Sequence, residues 1–264
     1  MTTLTMSAAI EGRLLLHPWL TARLNERGDG VWDILGEDVF SLVIACSKSR
    51  GLASFSGHEP PSVRWGPNGA GGDWTQGKEP RRLAWLQCAV PEQPLSGRRL
   101  PIQPVFSVLH DVLSLVGVIE LEAIQAIAPL AAAPDGRFDI AALSRCFDFV
   151  DPSGAREILL RLMLPDSTRA APRALWELVR TLSGGRIAAE DANADSPHPV
   201  APPYGTQWLL GDGTYAQTAA RCTLPAWSVD AASWLIETVI EALRVVGCMD
   251  PVAISVMVDP RSPT

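Results

Sequence analysis

The sequence predicts an α+β protein, an antiparallel sheet with helices packed on one face. Three observations carry that expectation: a set of residues recurring at one fixed spacing, a strand-to-helix-to-strand change of hydrophobic period inside each recurrence, and short glycine and proline turns between strands.

The recurrence comes first because it organises the rest. Trp74, Gly77, Cys88 and Pro91 return as Trp208, Gly211, Cys222 and Pro225, each displaced by 134 positions, and Gly71 and Gly205 extend the match. Several coincidences at one offset point to internal duplication. After each proline the period changes to that of an amphipathic helix. Val105, Val108, Leu109, Val112, Leu113 and Val116 form the apolar stripe of the first copy; Leu235, Ile236, Val239, Ile240, Leu243 and Val246 form that of the second.

Gly117 and Gly247 follow these helices and are read as stops in the left-handed conformation. Strands are expected next, over 119–127 and 252–258, and they run into Pro129 and Pro260. Each unit is therefore strand, glycine turn, strand, helix, strand.

Two further segments read as partial copies. Trp32, Gly36 and Cys46 repeat the tryptophan-to-cysteine spacing near the N-terminus. In the middle, 147–150 reads as a strand, Asp151-Pro152-Ser153-Gly154 as a turn, and Ile158, Leu160, Leu162 and Leu164 as the inner face of the returning strand. A helix follows from Pro172 through Trp176 and Val179 to Gly184.

Hairpins and helices in this order favour internally duplicated ferredoxin-like units in two pseudo-symmetric lobes over a doubly wound parallel sheet. The expected divisions are 1–187 for the N-terminal lobe with the central repeat, 188–204 for a Pro/Ala/Asp-rich connection, and 205–264 for the C-terminal unit. One continuous sheet is the alternative packing.

Composition bounds the function. With 264 residues and 47% hydrophobic content the chain can bury a sizeable core. Its 22 basic against 29 acidic residues, a net charge of -7, work against nucleic acid and anionic membranes as partners. The longest apolar stretch, 105–130, is interrupted by His110, Asp111, Glu120 and Glu122, so no span is expected. The first 13 residues lack the pattern of a secretory signal, and a cytoplasmic protein is expected. Five scattered cysteines, without a CxxC pair, read as reduced small hydrophobes, and no metal site is predicted.

Candidate sites are few. Residues 72–78 match the opening of a P-loop, but Glu79 stands where a metal-binding hydroxyl is needed, and a strand follows in place of a helix. The same loop gathers Trp65, Trp74, Lys78, Arg81 and Arg82, an aromatic and basic set suited to anchoring a partner. The competing reading makes Trp74 core and the arginines a solvated sheet edge.

Cys46 and His58 are the nucleophile and base types nearest one another, with Ser56 and Glu59 beside them. Closeness in sequence alone does not make a catalytic pair. Glu120 and Glu122 alternate on a predicted strand and could pair for acid-base work, or simply face solvent. The expected function is a non-enzymatic protein-binding factor of the assembly, chaperone or immunity type, its partner another protein. The alternative is an enzyme or carrier holding a small molecule or cofactor, such as a haem or flavin, in an apolar pocket between the lobes.

Overall fold

A computed structural model describes residues 3–27, 38–50, 66–74, 77–91, 100–132, 140, 145–166, 172–192, 210, 214–259 and 261. The elements run β1 (Thr3–Leu16), α1 (Pro18–Arg27), α2 (Val39–Ser49), β2 (Gly66–Gly71), β3 (Arg81–Pro91), α3 (Ile102–Val116) and β4 (Gly117–Pro129). Then come β5 (Arg156–Pro165), α4 (Pro172–Leu182), β6 (Ala189–Ala192), β7 (Tyr215–Leu224), α5 (Val229–Val245) and β8 (Pro251–Val258).

All eight strands join one antiparallel sheet in the order β2-β3-β1-β4-β8-β5-β7-β6. Outward from the β4–β8 pair, one side reads fourth, first, third and second strand of its half, and so does the other. The described strands thus form the one continuous sheet that is the alternative to two lobes.

Period-two alternation along the strands sorts side chains onto two faces. Met6, Ala8 and Ile10 of β1, Leu86 and Cys88 of β3, Ile124 and Ala126 of β4, and Ile158, Leu160 and Leu162 of β5 pack under the helices in the main core. Cys88 and Cys222 lie on β3 and β7, the third strand of each half, and both are buried on this face. Their expected equivalence holds in that respect; Trp208 lies outside the described residues.

Helices α3 and α5 pack on each other above the sheet, and α5 is buried along most of its circumference. Ser228 caps α5 by accepting from Ala231 N at 3.1 Å. Pro101 gives α3 no side-chain cap, and Glu237, buried on α5, accepts the N–H of Gln103 at 3.3 Å. A carboxylate placed there meets the positive end of the α3 dipole, tying one half to the other.

Several expectations are corrected. Residues Arg145–Phe149 form a 3-10 turn, not a strand, because Phe147 turns onto the ring of Trp234, centroid to centroid 4.9 Å. Cys46 lies in helix α2 and is therefore not the structural counterpart of the strand cysteines Cys88 and Cys222; Trp32 and Gly36 lie outside the described residues. Part of the expected 188–204 connection is strand β6, paired to β7.

Gly247 has φ +86 and stops its helix as expected, but Gly117 is extended, φ −174 and ψ −173. Glycine is needed at 117 for a different reason: a Cβ there would sit 2.5 Å from the carbonyl oxygen of Leu15.

Candidate functional site

The aromatic and basic residues expected to form a binding loop divide between core and surface. Trp74 is buried at 3% exposure and its indole N–H donates to Leu83 O at 2.8 Å, so its ring is not available as a surface anchor. Lys78 is exposed on the approach to β3. Arg81 pairs with Asp73 at 2.8 Å, and Arg82 donates through Nη2 and Nε to Glu11 at 3.0 and 3.2 Å. Trp65 and His58 lie outside the described residues.

Cys46 is half-buried on α2, where burial pushes its thiol up; nearby Arg50 pulls it down and Asp111 reinforces the rise. A thiol so shifted is a poorer nucleophile at neutral pH. Arg50 pairs with Asp111 and donates to Ser107 Oγ, joining α2 to α3. Burial also raises the Cys222 thiol, up to about 12, and that of Cys88 further. Among the described residues no three metal-ligating side chains converge.

The sheet face opposite the helices carries a second arrangement. One cross-strand row runs through all eight strands: Gly71, Trp85, Ala9, Gln125, Ser255, Arg161, Ala219 and Ala192. Gln125 is 1% exposed and Ser255 8%, so two polar side chains sit buried in the middle of the row. Desolvation lowers the pKa of Arg161. Trp85 lies over β2, where a Cβ on Gly71 would come within 2.9 Å of its indole nitrogen.

Two ion pairs lie on one side of this row, with Glu11 and Arg221 both in the next row of the same face. Glu11 is buried, and burial raises its carboxyl above the usual range although the Arg82 guanidinium works the other way. Burial would raise Asp259 too, but bonds from the Arg261 N–H and from Arg221, at 3.0 and 2.8 Å, outweigh it and hold that carboxyl below the usual range. Glu11 also marks the place where β1 is irregular. Leu83 of β3 and Glu122 of β4 have no opposite residue there, the signature of bulges on both neighbours.

Beyond the bulges the sheet narrows. The β1–β3 ladder ends at Gly12 opposite Arg81, and the β4–β8 ladder ends at Ala123 opposite Met257. Residues 13–16 and 117–120 pair only with each other among the described strands, forming a two-stranded ribbon. Leu15 faces Val118 across it, at 52% and 58% exposure. Trp19 at the start of α1 and Leu115 at the end of α3 are exposed at the same end, held there by His17 N donating to Val116 O. Arg13 lies between Glu120 at 2.9 Å and Glu122 at 3.9 Å, so the paired glutamates face solvent beside an arginine.

Sequence reasoning missed the ribbon and the polar row. Leu14, Leu15 and Leu16 look alike in sequence, and only the register shows Leu15 turned outward. Arg161 could have been noticed as a charge inside the alternating apolar run 158–164. No protein family, curated protein or solved structure matches this chain in sequence or in fold.

Proposed function

We propose that this protein works by binding another polypeptide, as an assembly, chaperone or immunity-type factor, on a scaffold of two duplicated ferredoxin-like units. The scaffold reading is supported by the matching strand order on either side of the β4–β8 seam. The binding reading rests on one observation: Leu15, Trp19, Leu115 and Val118, each at least half exposed, cluster at one end of the chain, apart from the other exposed large apolar residues Phe149, Val245, Val246 and Met249. A group of large apolar side chains left in water is costly and is commonly retained as a contact surface.

Native mass spectrometry of protein purified gently from its own source tests this, with an absorbance spectrum of the same sample. The expected outcome is a polypeptide in fixed ratio, lost from a Leu15→Ser, Val118→Ser double variant that keeps the parental melting temperature. A second reading, a small molecule held at the seam of the two halves, is favoured by the buried Gln125 and Ser255 beside Arg161. A bound chromophore or ligand with no polypeptide would put that reading first.

A further inference from the structure

The clustered apolar residues sit on a particular kind of backbone. On the β4 side of the ribbon, residues 118–122 continue past the last β8 pair, and no described strand runs beside them. Trp227 donates its indole N–H to Leu121 O at 2.7 Å, closing the near end of that stretch and leaving Val118 to Glu120 beyond it. Strand edges are satisfied by another strand, and the side chains flanking the edge decide which one.

Here those side chains are Val118 and, across the ribbon, Leu15, with Glu120 and Glu122 on the same strand. Two half-exposed carboxylates share the single guanidinium of Arg13, so the ribbon face carries excess negative charge, as does the whole chain.

We infer that the projecting β1–β4 ribbon accepts an extended segment of a partner protein, added as a strand along β4 at 118–120, in which every second residue faces the ribbon and these are in turn apolar and basic. The apolar ones lie on Leu15 and Val118; the basic ones face Glu120 and Glu122. This rests on the protein-binding reading and specifies its surface and partner. A second copy of this chain fits less well, because the same acidic patch would meet itself.

The test uses three synthetic octapeptides with capped ends: Leu-Thr-Lys-Thr repeated twice, which sets Leu and Lys on one face (the Leu/Lys peptide), the same with Glu for Lys, and the Leu/Lys peptide N-methylated at every second residue. Binding is read by fluorescence anisotropy, and its place by amide hydrogen exchange. The Leu/Lys peptide is expected to slow exchange at 118–120 and to bind about tenfold more tightly than either control, since one control reverses the charge and the other removes ladder hydrogen bonds.

Glu120→Gln with Glu122→Gln should weaken the Leu/Lys peptide severalfold and reduce its salt dependence. Equal binding of the N-methylated peptide, or protection away from 118–120, overturns the inference. So does a concentration-dependent dimer abolished by Leu15→Ser with Val118→Ser, which would give the ribbon to a second copy. If a native partner co-purifies and survives that double variant, the ribbon inference fails while the protein-binding reading stands. If no polypeptide co-purifies, the broader reading fails.

Discussion

The two halves of the sheet share a strand order but not an outline. In the first, β4 runs 13 residues and β1 14, and together they outreach their neighbours; in the second, β8 runs 8 and β5 10, and no ribbon projects. The bulges opposite Glu11 belong to the first half alone, as the β5–β7 and β5–β8 ladders have no register shift. One architecture thus supports a half with a projecting ribbon and a half without one, whose exposed large apolar residues are Phe149, Val245, Val246 and Met249. The surface, not the topology, is where function should be sought.

If the cores are equivalent beneath this difference, matched truncations should cost alike. Val112→Ala on α3 and Ile240→Ala on α5 remove side chains 0% and 6% exposed, and each is expected to cost about 2 to 4 kcal/mol in chemical denaturation. A much smaller loss in one half would break the equivalence. The helix-stop glycines should separate the halves. Gly117→Ala drives a Cβ against the Leu15 carbonyl and should cost about 3 kcal/mol. Gly247→Ala meets open space and carries only the left-handed penalty of about 1 kcal/mol. Equal costs would mean that the strand closing on Gly117 can shift aside.

The smallest contrast is in pH dependence. Glu11 has a raised carboxyl, so between the ordinary value and the folded one the native state holds a proton that the unfolded state releases. Its contribution to stability is therefore present below about 4.5 and declines as pH rises through the folded value. Asp259 has a lowered carboxyl and the opposite sign: its contribution is present above about 3.8 and is lost as pH falls through the folded value. Stability-versus-pH curves for Glu11→Gln and Asp259→Asn should differ from the parent in opposite directions. Changes of one sign would show that one of the two ion pairs is wrongly assigned.

What was legible in the sequence follows from which forces act locally. Alternation in 158–164 and the apolar stripe of α3 are short-range patterns that burial enforces, and both elements formed where the periods placed them. The Cys88 and Cys222 correspondence survived because both point into one continuous core. Arg145–Phe149 was misread because the Phe147 ring is drawn to Trp234, distant in sequence. Trp74 was equally readable as anchor or core, and only the Leu83 carbonyl that takes its N–H decides for the core. The ribbon depends on where four ladders end, a property of registers between strands far apart in the chain.

The seam itself has a further consequence. Seven residue pairs, Ala123 to Pro129 against Met257 to Pro251, zip the fourth strand of one half to the fourth strand of the other. Two identical subunits meeting through that edge would have to carry every surface twice, and any change useful on one would be imposed on both. Joined in one polypeptide, the halves keep their mutual contact at a high effective concentration and are released from that constraint. One half can then carry a ribbon that the other lacks.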